Sequence, residues 1–300
     1  MFDIVTVGHF VIDQIVVEER KSPSITLGGP PTFVSLTSTA LGAKTGVVSK
    51  VGRDFHTHAA WLRKNKVDLS YVQTLQNTLT TRFTLKYSGD ERTLNLENLA
   101  PPILPKDIAT SLHTKVIHVS PVLDEVPFET IHELRKRTST LSLDPQGLLR
   151  FVDERGKVKP KRLDNMDVLK NIDILKSSIN EAKIIGGTDS LHKSIEEIQR
   201  YGPKTVLVTM GKEGTLASFG MSKKLHTVPA YEPRIIKDVT GAGDAFIGAF
   251  LAEHVKNKEN LWCCCVGSAA ASFLIERIGP TLPEKAEIYE RATKIYEKAE

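Results

Sequence analysis

Hydrophobic and polar positions along the chain follow two rhythms that keep replacing one another. Short apolar runs recur at residues 4–7, 46–49, 116–119, 141–143, 172–175 and 206–209. Each is too short for a helix and reads as a buried strand. Between them lie helix-period stretches: one that Asp54 can cap, running through Leu62; one from Pro127 through Arg137; and one from Asp189 or Ser190 through Arg200. Strand and helix in repeated alternation predict a doubly wound, mostly parallel sheet with helices on both faces. Residues 12–17 break this rhythm, being strand-like directly after the first strand. Residues 80–98 break it again as a hairpin: 82–87 out, Ser88-Gly89-Asp90 as the turn, 93–96 back. Together the two pieces predict a small antiparallel flap, drawn from about 12–27 and 80–98, able to cover a site. A solvent-exposed hairpin without function is the plainer alternative. The last third reads as helices over 242–254, 261–275 and 283–298, punctuated by Gly279-Pro280 and Pro283. Neither repeat nor linker interrupts the pattern, so residues 1–300 are expected to form one unit.

The most informative stretch is Asp238-Val239-Thr240-Gly241-Ala242-Gly243-Asp244-Ala245-Phe246. Glycines around Ala242 let the backbone turn tightly and bare its N–H groups at the start of an apolar helix. Unpaired amides and the positive end of the helix dipole make an anion site there. Asp244, in the first turn, is placed to accept a proton from a hydroxyl attacking a phosphorus held by those amides. A carboxylate at a helix N-terminus is expected to be a weak base, so alignment carries the chemistry. The alternative is that Asp244 only stabilises its helix.

Composition narrows the class. Apolar residues make up 40% of 300, enough for a large core, and the net charge is +4 with pI about 8.8. Acids are interspersed with the bases, so a nucleic-acid surface is not expected. The densest cluster, Lys157-Val158-Lys159-Pro160-Lys161-Arg162, reads as a solvated loop. Cys263-Cys264-Cys265 are contiguous in helix, about 100° apart, and cannot converge on one metal. They are expected to be small buried or half-buried residues in a reducing compartment. No apolar run approaches the roughly 18 residues of a membrane span, and Asp3 with no basic leader argues against a secretory signal. A cytoplasmic globular protein is expected.

Residues 238–251 resemble the second signature of the ribokinase-like (PfkB) carbohydrate kinases, and the likeness extends over nearly the whole chain. Gly28-Gly29 resembles the family's first signature, a diglycine beside the sugar. Asp13, in Gly8-His9-Phe10-Val11-Ile12-Asp13, stands where an aspartate binds substrate hydroxyls. Thr209-Met210-Gly211-Lys212-Glu213-Gly214 is similar to the loop near the nucleotide phosphates, and Gly267-Ser268-Ala269-Ala270-Ala271 to the small-residue helix at the adenine pocket. The resemblance implies a Rossmann-like core, a β lid, and transfer of the ATP γ-phosphate. Gly241, Ala242 and Gly243 would neutralise the moving group while Asp244 acts as base. Thr209, Gly211, Lys212, Gly214 and Ala270 would contact nucleotide. Lids in this family sometimes pair between subunits, leaving a homodimer through residues 80–98 open. Each piece also has a plain reading: Asp13 as a turn residue, Gly28-Gly29-Pro30-Pro31 as a strand break and helix start, Gly267 to Ala271 as close helix packing, Lys212 as a solvated lysine.

Two departures bear on substrate and metal. Phe33 takes the place of the family's sugar-binding asparagine. That substitution, with Leu143-Asp144-Pro145-Gln146-Gly147-Leu148-Leu149-Arg150, looks like the myo-inositol kinase branch. Phe33 would stack on a cyclic polyol, with Asp13 and Gln146 among its polar partners. In Lys176-Ser177-Ser178-Ile179-Asn180-Glu181, Glu181 matches the acid that organises Mg²⁺ through water, and Ser178 replaces the usual asparagine beside the nucleotide. Registering Asn180 there would put Lys183 at the acid's place, so that register is rejected. Competing readings are a nucleoside or phosphosugar kinase, with Arg82 or Arg92 holding a phosphate, and a regulator that binds ligand without turnover. A dinucleotide oxidoreductase is disfavoured because Gly8-His9-Phe10-Val11 is no glycine-rich turn.

Overall fold

The computed structural model describes residues 1–17, 23–88, 91–220 and 224–299. Among them, strands β1 (Phe2–Val7), β4 (Thr45–Gly52), β5 (Asp68–Leu75), β8 (Thr114–Val119), β9 (Thr138–Leu143), β12 (Ile174–Ser178), β13 (Thr205–Thr209), β14 (Thr215–Phe219) and β15 (Leu225–Val228) form one sheet. Its order is β15-β14-β13-β12-β9-β8-β1-β4-β5. Every pairing from β13 to β5 is parallel, while β14 and β15 turn back antiparallel at one edge. Helices α3 (Phe128–Arg135), α4 (Ile179–Gly186) and α5 (Leu191–Tyr201) bury Ile131, Leu134, Ala182, Ile185, Ile195 and Ile198 on one face. On the other lie α1 (Pro30–Ala40), α6 (Ala242–His254), α7 (Asn260–Ile275) and α8 (Lys285–Tyr296), with Phe246, Phe250 and Phe273 at the centre. Helix α2 (His56–Lys64) packs Leu62 against Val47, Val51 and Leu69 near the β4–β5 end. The three cysteines are buried within α7. No described helix is long and apolar enough to cross a membrane.

A second sheet of four strands, β3 (Ser24–Gly28), β2 (Val11–Val17), β6 (Thr81–Ser88) and β7 (Glu91–Asn98), forms the lid. Each piece is antiparallel within itself, but β2 and β6 join in parallel register, Val11 opposite Thr81. The expected antiparallel flap is thus present, with one parallel seam where its two pieces join. The reason is topological: β2 follows β1 and β6 follows β5, two strands of the same parallel sheet, so both enter the lid in one direction. Gly89 and Asp90 of the hairpin turn, residues 18–22 of the first lid piece and the Arg92 side chain lie outside the described residues.

Two further expectations change. Asp54 does not cap α2, which starts at His56 without a side-chain cap. Its Oδ1 instead accepts from the Thr80 amide and hydroxyl, both at 2.8 Å, and its Oδ2 from Arg82 at 2.6 Å. Arg82 is thus engaged at the lid's base. The basic cluster is not a plain loop. Strand β11 (Val158–Pro160) pairs with β10 (Arg150–Val152) across a turn in which Asp153 accepts from the Arg155 and Lys157 amides. That hairpin lies on the outer edge of β7, where the Leu96 amide donates to Gly156 O.

Candidate active site

The site is built where a parallel sheet leaves its carboxyl ends uncovered, with α6 pointing its N-terminus into the gap. Gly241 caps α6 at φ 78°, a left-handed conformation that costs an L residue roughly 1–2 kcal/mol. The first helical bond runs from the Ala245 amide to Gly241 O. The amides of Gly241, Gly243 and Asp244 find no acceptor among the described residues, as a helix start dictates. Ala242 differs from expectation, because its amide already donates to Val239 O at 3.3 Å. Helix α1 offers no such cradle, since Pro30 and Pro31 fill its first positions.

Two chambers meet at this turn, and Thr209, Val239, Ala242 and Gly243 line both. One, of about 280 Å³, has mainly apolar walls that include Tyr231, Ile236, Phe246 and Ile275. Thr209, Gly211, Lys212 and Gly214 form its mouth, with the last two glycines at φ 60° and 91°. Ser268, Ala271, Ser272 and Ile275 are its α7 wall, spaced at i, i+3, i+4 and i+7. Ala270 falls one position off that stripe and is buried in the core, so its expected contact with a ligand is corrected. Ser272 Oγ accepts from Arg291 at 2.6 Å behind this wall.

The other chamber, of about 380 Å³, lies under the lid. The lid strands contribute Val11, Phe83, Leu85 and Leu94, with Asp13 opposite Phe83 in the same sheet; Asp144, Gln146, Arg150 and Asp244 line the chamber from the core. Gly29 and Phe33 belong to its wall; Gly28 does not. Gly28 acts through Asp13, since a Cβ there would stand 2.1 Å from Asp13 Oδ2. Phe33 is 3% exposed, with its ring against Gly241, where a Cβ would come within 2.5 Å. The Phe33 ring thus packs on the Gly241 turn while also lining the chamber. Lid side chains supply further apolar surface.

Electrostatics at the junction centre on three residues. Asp144, at the end of β9, meets Lys176 on neighbouring β12, Nζ to Oδ2 2.7 Å. Their strands pair Leu143 with Leu175, so the next positions fall side by side. Burial pushes the Asp244 carboxyl up to about 7; Lys176 and Arg150 oppose the shift, while Asp144 and Glu181 add to it. The expected weak base is thus overturned, because desolvation of the anion dominates. Lys176 stays an ammonium despite its burial, held by Asp144, Asp244 and Glu181. Neither Lys176 nor Asp144 belongs to a motif that marks it for chemistry in the sequence. A lysine and an aspartate at the carboxyl ends of adjacent parallel strands were the signal available.

Ser178 and Glu181 form a capping box at α4. The Ser178 amide donates to Glu181 Oε2 at 2.7 Å and the Glu181 amide to Ser178 Oγ at 3.4 Å. Both face the lid-side chamber. The described residues contain no group of three side chains able to hold a metal. A single carboxylate, Glu181, lining the chamber does fit Mg²⁺, which keeps most of its waters.

Comparison with known proteins agrees with this architecture. The profile of the pfkB family carbohydrate kinases matches residues 1–287. A cytidine kinase of Thermococcus kodakarensis is 25% identical over 285 residues, covering 93% of this chain and 98% of that one. An inositol 3-kinase of Arabidopsis thaliana is 27% identical over 286 residues, covering 92% and 74%. The structure of a pyrophosphate-dependent kinase of the ribokinase family, complexed with a pyrophosphate analog and myo-inositol, superposes with a TM-score of 0.83. It is 26% identical and covers 96% of this chain and 99% of its own.

Proposed function

The chain belongs to the pfkB family of carbohydrate kinases, and we propose that it transfers the γ-phosphate of ATP to a hydroxyl of a cyclic polyol, with myo-inositol as the leading acceptor. It is a phosphotransferase acting on sugar or nucleoside hydroxyls, as its relatives are. One observation carries the mechanism: a carboxyl pushed up to about 7 stands beside free amides where two chambers meet.

The acceptor lies under the lid, oriented by Asp13 and Gln146. Its hydroxyl proton passes to Asp244 as the oxygen bonds the γ-phosphorus. The bond from that phosphorus to the bridging oxygen breaks, and the electron pair leaves with ADP. The Gly241, Gly243 and Asp244 amides hold the moving group's charge, which suits a loose transfer with little covalent help from protein. Lid closure would exclude water that otherwise competes as acceptor. Mg²⁺, when bound, neutralises polyphosphate charge, and Glu181 would hold it through water.

Apolar lid side chains together with Asp13, Asp144, Gln146 and Arg150 around one chamber support a ring with carbon faces and hydroxyl rims. The inositol 3-kinase relative and the myo-inositol complex support the same acceptor. The apolar chamber supports a nucleotide as donor, because pyrophosphate alone would leave that surface uncovered. The cytidine kinase relative favours a second reading, a nucleoside acceptor. A panel assay tests these: ADP release with myo-inositol, ribose, fructose, fructose 6-phosphate and cytidine, and phosphate release with pyrophosphate replacing ATP. Turnover confined to cytidine overturns the polyol reading; turnover with pyrophosphate alone overturns the donor.

A further inference from the structure

The third residue of the Gly241-Ala242-Gly243 turn poses a question that backbone conformation does not answer. Gly241 needs its left-handed φ, but Gly243 lies inside α6 and is not among the positive-φ glycines. What a side chain there would meet is Lys176. A Cβ on Gly243 would stand 2.5 Å from Lys176 Nζ and 3.3 Å from its Cε. The lysine is 6% exposed, Asp144 1%. The ammonium therefore lies against the amide cradle and lines the lid-side chamber.

We infer that Lys176 is a catalytic cation of the transfer, its ammonium anchored by Asp144 and lying against Gly243 so that it touches the γ-phosphate as that group crosses between the chambers. An ammonium is a compact point charge with three donors, suited to one phosphate oxygen while another donor stays on Asp144. Gly243 is then glycine to admit this cation. Lys176 keeps its proton throughout and forms no covalent bond. A buried ion pair with a purely structural role is the competing account, and such pairs are often replaceable by apolar groups without loss of stability.

The inference rests on the kinase reading, so the test includes a readout without turnover. Lys176→Met and the double variant Lys176→Met/Asp144→Asn are compared with the wild type. Saturated turnover is measured with the acceptor found by the panel, and ATP and ADP affinities by calorimetry. The double variant removes both charges and guards against an unpaired buried Asp144. Both variants are expected to lose ~10²-fold in kcat with acceptor KM within about threefold, the scale of removing one charge-stabilising donor. ATP affinity falls ~10-fold while ADP affinity holds within about twofold, one charged contact being worth that much. Ethylammonium added to Lys176→Ala restores part of the rate. A double variant with kcat within about threefold of wild type, or ATP and ADP affinities falling together, overturns the assignment. Should no acceptor turn over in the wild type, the kinase reading fails while the ATP-to-ADP contrast still decides the role of Lys176.

Discussion

Replacing Asp244 by asparagine should stabilise the unliganded protein at pH 8. The folded carboxyl binds its proton up to about pH 7, against 3.8 for the free group. Between those values the folded state holds more protons than the unfolded one. Stability from this group is thus complete below pH 4 and is lost as pH rises through 7. A shift of about 3 units corresponds to ~4 kcal/mol at 1.36 kcal/mol per unit. Water entering the cleft screens part of it, leaving roughly 1–2 kcal/mol. Asparagine is neutral at every pH and avoids the penalty. For a chain of 300 residues the gain corresponds to a melting temperature higher by roughly 2–3 °C at pH 8, shrinking toward zero by pH 4. Thermal melts of both proteins at pH 4, 6 and 8, without nucleotide, read this directly. A variant melting at or below the wild type at pH 8, or a gap that ignores pH, refutes the claim that burial of an anion dominates at Asp244.

Three further outcomes follow from the geometry. The wild-type kcat/KM should rise with pH through an acid limb near 7, because the base must be ionised; a limb near 4 in the pH profile contradicts the burial argument. Gly241→Ala forces alanine to φ 78° and its methyl into the Phe33 ring, so denaturant titration should find at least ~2 kcal/mol of lost stability. Ala271→Leu crowds the apolar chamber and should raise KM for ATP ~10-fold or more while leaving acceptor KM unchanged, by steady-state kinetics.

Much of this was written in the chain where local physics decides. Residues 116–119 and 206–209 are buried runs that have little choice but the sheet centre, and the apolar run after Gly243 fixed α6 over 242–254 as expected. The edges were harder. Strand β5 mixes Ser70, Gln73 and Thr74 with Leu69 and Val72, because it is half covered, and its periodicity fades. Strands β14 and β15 are short and gave no separate signal. Partner choice between β2 and β6 depends on where two distant strands end, which no local pattern records. At the site, the Gly241–Asp244 turn and Asp13 are legible as motifs. Ala270 in place of Ala271 was a helical-phase error of about 100°. Lys176 carries no local signal, because a lysine in a strand ordinarily reaches solvent, and only the β9–β12 register places Asp144 beside it.

The central claim is that Asp244 takes a hydroxyl proton beside amides that hold the transferring phosphate. It is tested most directly by ATP-dependent ADP release with saturating myo-inositol, wild type against Asp244→Asn, with ATP affinity measured on both. The account predicts a kcat lower by at least ~10²-fold in the variant and ATP affinity within a few-fold of wild type. An unchanged kcat in a variant that still binds ATP contradicts it.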